Sequence, residues 1–314
     1  MRRYIARRLL YTIIVLLIVS FYAVFLVNLM PGDPAIAMLG ADASQEQLEA
    51  LRKEMRLDEP LFSRYIYWLG NALQGNFGTS YNYHMDVLSL VAQRAKCTIH
   101  IGITALVLTV LIGIPLGIVS ALKRGSVLDQ IISVLTNIGM SAPRFWFAIL
   151  GIYFFSYQLG ILPISGYVGL DKGFLESTRS IILPSFMLAL TPMTSILRQT
   201  RSAMLEVINQ DYVRTARSKG LKSTHVITRH ALKNAMIPII TQLGMQVRQV
   251  IGGTVIIEQV FNIPGMARLI TLSVENRDIQ VVQGSILLIS IVVTLANLLV
   301  DISYAYFNPK IRYE

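Results

Sequence analysis

Between Leu9 and Met30 the chain carries no charged residue. A helix of about 22 residues rises about 33 Å, enough to cross the roughly 30 Å hydrocarbon core of a bilayer. No water is available there, so every backbone N–H and C=O must be paired inside the chain, as a helix pairs them. Further apolar runs follow at Ile99 to Leu122, Gln130 to Leu162, Ile181 to Leu197, Ile237 to Ile257 and Val281 to Tyr306. Each is long enough, or nearly so, to span. The expectation is an all-α polytopic membrane protein with six transmembrane helices. Composition agrees: mean hydropathy is +0.55, with 54% hydrophobic and 15% charged residues, where a soluble domain carries about a quarter charged.

Arg2, Arg3, Arg7 and Arg8 precede the first run and imitate a secretory signal. A signal's apolar region has about 7 to 15 residues, so this longer run reads as an uncleaved first span. Ala35-Ile36-Ala37 is a weak cleavage-like triplet, and it lies beyond the Pro31-Gly32-Asp33-Pro34 turn. The net charge of +10 and pI near 9.8 read as lysine and arginine at membrane edges rather than as a nucleic-acid surface. With the N-terminus inside, the cytoplasm receives those four arginines, Lys123 and Arg124, the basic residues from Arg198 to Lys233, and Lys310 with Arg312. Both termini are therefore expected to be cytoplasmic. Pro115, Pro143, Pro184 and Pro192 should kink rather than break their helices, since neighbours and Ser/Thr hydroxyls satisfy the freed backbone groups. The third run is expected to bend near Ala142-Pro143.

Asp33 to Thr98 reads as an aqueous helical insert on the outer side. Ser44 to Gln47 has the capping-box form, and Leu48, Leu51 and Met55 recur at helical spacing, predicting a helix to about Leu57. Pro60 opens a second helix carrying Tyr65, Trp68 and Leu69, which Gly75 to Gly78 ends. These aromatics could grip a partner, but they better suit packing of a small cap or anchoring at the membrane interface. Three segments result: residues 1–30 with the first span, the insert 31–98, and a five-helix core 99–314.

Little here suits catalysis. No G-x-x-x-x-G-K-[ST] phosphate loop occurs, so P-loop ATP hydrolysis by this chain is excluded. His84, His100, His225 and His230 show no metal-ligand spacing, and G-x-S-x-G is absent. No metal site and no bound cofactor are expected, and a polytopic membrane enzyme is the weaker alternative. Cys97 is the only cysteine, which rules out an internal disulfide. Within the fifth span Gln242, Gln246 and Gln249 recur at helical spacing with Arg248 beside them, so they should face the bundle, as pathway lining or as helix-helix contacts. Arg144 and Asp301 sit near kinks or span ends and suit structural roles.

Between the fourth and fifth spans lies a basic stretch, 211–236, whose residues suit a helix-turn-helix elbow outside the bilayer. Val213 to Lys219 favours a helix, Gly220 permits a sharp turn, Ser223 or Thr224 is placed to cap a second short helix, and Pro238 opens the next run. Taken alone it would be an ordinary cytoplasmic loop. Yet Arg214-Thr215-Ala216 with Lys219-Gly220, followed by His230-Ala231-Leu232, resembles the E-A-A-x-x-x-G signature of bacterial ABC-importer permeases. Arg214 and Thr215 replace that signature's first two letters. The form resembles the branch that imports di- and oligopeptides, glutathione and nickel. Met30 to Pro34, Gly75 to Ser80, Glu258 to Gly265 and Asn308 to Tyr313 extend the likeness over nearly the whole chain.

The resemblance implies the type I permease fold in a bacterial cytoplasmic membrane. It also implies that the elbow docks on a separate ATPase subunit and transmits its closure. The partners it implies are a second homologous permease subunit forming a heterodimer, two ATPase subunits carrying ATP and magnesium, and an extracytoplasmic substrate-binding protein. The implied cargo is a peptide or a glutathione-like peptide, with nickel or a metal chelate as the alternative. A self-sufficient channel or secondary carrier would show charged relay residues in several spans, and few are present. Phe261, Asn262, Pro264 and Gly265, in a broken segment expected outside, are candidates to contact the binding protein or to plug the permease.

Overall fold

The computed structural model describes residues 2–29, 33–40 and 43–307, and these are helical apart from turns and one isolated antiparallel bridge between Thr79 and Asp86. Met30, Pro31 and Gly32 of the first turn, and the Asn308 to Tyr313 ending with Lys310 and Arg312, lie outside the described residues, as do the side chains of Arg2, Arg3 and Asp301. The described residues divide into two compact units, drawn from 99–263 with 296–314 and from 2–98 with 264–295.

The second of these holds α1 (Arg2–Asn28), α2 (Pro34–Leu39), α3 (Gln45–Glu54), α4 (Leu61–Leu73), the start of α5 (Val87–Leu122), α12 (Met266–Glu275) and the first part of α13 (Ile279–Phe307). The capping box forms as the spacing requires: Gln47 N–H donates to Ser44 Oγ at 3.2 Å and Ser44 N–H to Gln47 Oε1 at 3.1 Å. Leu48 and Leu51 bury against Ala35, and Arg52 donates twice to Asp33 at 2.8 and 2.5 Å. The α3 helix stops at Glu54, three residues short of the expected Leu57, because Arg56 takes a left-handed φ of +54°. Tyr65, 7% exposed, shares a 2.9 Å hydrogen bond with Ser20 of α1, so this aromatic packs the insert onto the first span.

Ser80 Oγ donates to the buried Asp278 carboxylate at 2.5 Å. The same group accepts Val281 N–H at 3.4 Å, capping α13. Phe77, Val87, Leu90, Met266 and Val281 form the core beside it. Helix α5 therefore begins at Val87, twelve residues before the expected Ile99, because Val87, Leu90 and Val91 bury one face of this stretch on the small core rather than leaving it a loop.

The first unit contains the rest of α5, α6 (Val127–Ser141), α7 (Arg144–Gly151), a π-helical continuation Ile152–Gln158, α8 (Phe174–Ile208), the elbow helices α9 (Asp211–Ser218) and α10 (Ser223–His225), α11 (Leu232–Val260) and the end of α13. Helix α8 is at its centre. Buried residues make up 72% of its most apolar stretch, against 22 to 39% in the other long apolar helices. Gly113 and Gly117 of α5 admit it closely: a Cβ on Gly117 would lie 2.6 Å from Thr200 Cβ and 2.7 Å from the Leu197 carbonyl oxygen. Pro184 and Pro192 sit inside α8 without breaking it. The Thr194 hydroxyl donates to the Leu190 and Thr191 carbonyls, both at 3.0 Å, beside Pro192.

The expectation of six spans meets two differences. Among the described residues, four helices are long and apolar enough to cross: Arg7–Asn28, Val87–Leu122, Phe174–Ile208 and Ile279–Leu298. The third run is not one straight span. It divides at Ala142-Pro143 into Val127–Ser141 and Arg144–Gln158, bent by 110°, because proline fixes its own φ and removes a donor where the helix would continue. Helix α11 has 29 residues but is not among these four, and Gln242, Gln246, Gln249 and Arg248 are polar residues that interrupt its apolar run.

Candidate functional site

The elbow forms from local rules. Apolar Val213 and Ala216, one helical turn apart on α9, are 1% and 8% exposed, and they close against Val226 and Val207. The opposite face is solvent-facing and basic: Arg214, Thr215, Arg217, Ser218, Lys219 and Lys222 are exposed. Thr215 and Ser218 turn their hydroxyls back to the Asp211 and Arg214 carbonyls at 2.9 and 3.1 Å. The helix ends as Lys219 N–H and Gly220 N–H donate to the Thr215 and Arg217 carbonyls at 3.1 and 2.9 Å. Gly220 then takes φ +76°, the left-handed conformation expected of the turn, with open space around it.

The second half of the elbow differs from its expectation. Ser223 and Thr224 lie inside α10, and Lys222 is the boundary residue with no side-chain cap. There is also no separate short helix. The α10 helix runs through a π-helical stretch, Val226–Ala231, directly into α11, and Pro238 sits within α11 rather than opening it. The elbow is thus a continuous helical projection of α11 with α9 folded against its base. Asn234 Nδ2 donates to Tyr212 Oη at 2.8 Å and fastens α9 to α11.

Of the residues read from the sequence, Arg214, Thr215, Lys219 and Gly220 share the exposed surface, while Ala216 is its buried anchor. His230 is half-buried, with its ring 5.9 Å from that of His225. Leu232 packs with Ala203, Met204 and Ala235, so its role is to fix α11 to α8. Tyr212, Val213, Val226 and Asn234 complete the elbow and were not singled out by motif. The Val213/Ala216 spacing is the signal that marks the first anchor.

The glutamine stripe divides. Gln242 and Gln246 both donate to Ser195 Oγ of α8, at 2.9 and 3.3 Å, which is helix-helix bonding. Gln246 keeps a buried Oε1 with no partner. Gln249 and Arg248 are exposed instead, and Arg248 Nε donates to Asn297 Oδ1 at 2.8 Å. They belong to an exposed row along α11 that continues through Met245, Gly252, Val255, Ile256 and Gln259. Arg144, read as structural, donates to the Gln249 carbonyl at 3.4 Å.

Asn262 is exposed with φ +52°, whereas Phe261 and Gly265 are buried and Pro264 is half-buried. The Phe261 carbonyl accepts from Gly166 N–H at 3.0 Å. Asn262 is thus the member of that group most open to a partner.

One cluster had no sequence reading at all. Asp129, 5% exposed, receives Nε and one terminal nitrogen of Arg201, both at 2.9 Å, together with Ser120 Oγ at 2.5 Å and Gly125 N–H at 3.0 Å. This bidentate pair locks the α5–α6 turn to α8.

The family described as binding-protein-dependent transport system inner membrane component matches residues 113–313, and the N-terminal family of such membrane components matches residues 1–102. The chain is 38% identical over 310 residues to a probable peptide ABC transporter permease protein of Sinorhizobium fredii, with 99% of each chain covered. It is 40% identical over 310 residues to a putative peptide transport system permease protein of Brucella abortus, also with 99% of each covered. A glutathione transport system permease protein of Escherichia coli is 38% identical over 314 residues, covering all of both chains.

Proposed function

The chain belongs to the family of binding-protein-dependent transport system inner membrane components, and from that premise we propose that it is one permease subunit of an ATP-driven importer carrying short peptides inward. Two ATPase subunits, holding ATP and magnesium, supply the energy. A second, related permease and an extracytoplasmic binding protein complete the machine, and both termini of this chain face the cytoplasm.

The observation that carries the reading is the elbow: a basic face held on an apolar underside and continuous with α11. A helix that projects rigidly from a span transmits the displacement of whatever grips its end, and a lever needs nothing more. The exposed row on α11 supports the second permease. An arginine facing lipid at mid-helix costs about 2.5 to 3.5 kcal/mol on insertion scales, so Arg248 is better placed against another protein surface.

The test replaces Cys97 and places a cysteine at Thr215 in the assembled importer. Crosslinking to the ATPase subunit that varies with bound nucleotide, together with ATP-dependent dipeptide uptake into proteoliposomes, is the expected result. Absence of both would overturn the reading, and uptake of nickel in place of peptide would reassign the cargo.

A further inference from the structure

The segment from the end of α3 through α4 and the residues after it, with α1 and the first turn of α13, lines a half-open cavity of about 400 Å³. That volume lies within the roughly 300 to 1,000 Å³ of small-ligand pockets. None of its lining residues belongs to the elbow or to the α11 row. We propose that this pocket is a binding site for the carboxylate end of a short peptide, a site in the outer insert additional to any translocation pathway; the inference rests on the peptide reading above.

The wall chemistry selects the ligand. Arg56 and Arg64 line the cavity, and no aspartate or glutamate does so among the described residues. Arg56 is preorganised: its guanidinium lies 3.7 Å from the Tyr67 ring centroid and pairs with Glu59 at 3.3 Å. Arg64 is half-buried and donates to Asn28 Oδ1. With Glu59 balancing one guanidinium, the site keeps about one uncompensated positive charge, which matches a single carboxylate.

The rest of the wall distinguishes a peptide from a simple anion. Asn71, Gln280 and Gln283 offer carboxamides, each with a donor and an acceptor, the complement of a peptide group that also presents both. A phosphate needs donors alone. Two polar atoms of these wall residues, Trp68 Nε1 and Gln280 Oε1, are shielded from water and have no hydrogen-bond partner. One of the two is a donor and the other an acceptor.

The experiment uses the whole importer in nanodiscs of defined lipid, without its binding protein. Equilibrium binding is measured for radiolabelled Ala-Phe and for its C-terminal amide. The dipeptide is expected to bind at least tenfold tighter than the amide. Arg56→Gln and Arg64→Gln should each remove that difference, and Arg64→Lys, which keeps the charge, should stay within about threefold of the wild type. Equal binding of acid and amide, or unchanged binding by both glutamine variants, overturns the proposal. So does a co-purifying anionic phospholipid that is present in the wild type and lost in the variants. Uptake driven by the binding protein is followed on the same preparations. An importer that transports dipeptide yet shows no carboxylate-dependent binding retires the pocket alone, whereas one that transports no peptide retires the reading beneath it.

Discussion

Gly220 sets the direction of α9, and its substitution separates a lever from a merely solvated loop. Its φ of +76° lies in the left-handed region and nothing stands within 4 Å of where a Cβ would be, so the cost of a side chain is conformational rather than steric. For an L-residue that cost is about 1 to 2 kcal/mol, and it is greatest for a β-branched one. Against it stands the anchoring of α9, in which full burial of a valine such as Val213 contributes about 1.5 to 3 kcal/mol. The two are comparable, so Gly220→Val should displace α9 in a large share of molecules, since each 1.4 kcal/mol shifts such an equilibrium about tenfold. Gly220→Asn should retain most function, because asparagine tolerates the left-handed region, and Gly220→Ala should fall between them. The spans do not depend on this turn, so all three variants should insert and accumulate normally. Uptake and ATP hydrolysis measured together in proteoliposomes should show Gly220→Val hydrolysing ATP without moving cargo, or losing its ATPase partner. A valine variant that transports at the wild-type rate, or an asparagine variant as defective as the valine one, would refute the lever.

Gly117→Ala should destabilise the purified protein by about 1 to 3 kcal/mol, because the new Cβ meets the Leu197 carbonyl, which is backbone and yields little; thermal melting in detergent checks this, with Gly252→Ala, which meets nothing within 4 Å, as the silent control. Asp129→Ala should cost about 2 kcal/mol, less than the roughly 3 to 5 of a fully buried broken pair because the Arg201 side chain is 31% exposed, and adding Arg201→Ala should cost less than the sum of the two single changes, additivity being the contrary outcome. In a background lacking Cys97, a cysteine at Gln47 should react with an impermeant reagent in intact cells and one at Ser218 should not; the reverse pattern would invert the orientation.

Much of the architecture is legible without coordinates because it rests on interactions between residues close together in the chain. The capping box at Ser44 and Gln47, the break at Ala142-Pro143 and the positive φ at Gly220 each follow from the steric and hydrogen-bonding properties of a few adjacent residues. Apolar run length likewise placed helices along most of the chain, since hydrocarbon permits few alternatives. Partner choice among those helices was another matter. Lipid tails are as apolar as leucine, so hydropathy says that a helix is buried in the membrane but not which neighbour it touches. That choice is made by close fit and by polar pairs between distant residues: Gly117 against Leu197 and Thr200, Asp129 with Arg201 across 72 positions, and Ser80 with Asp278 across 198. For the same reason Gln242 and Gln246 part from Gln249 although all three share a helical spacing. Ser195 on α8 captures the first two, and periodicity along one helix holds no information about what faces it.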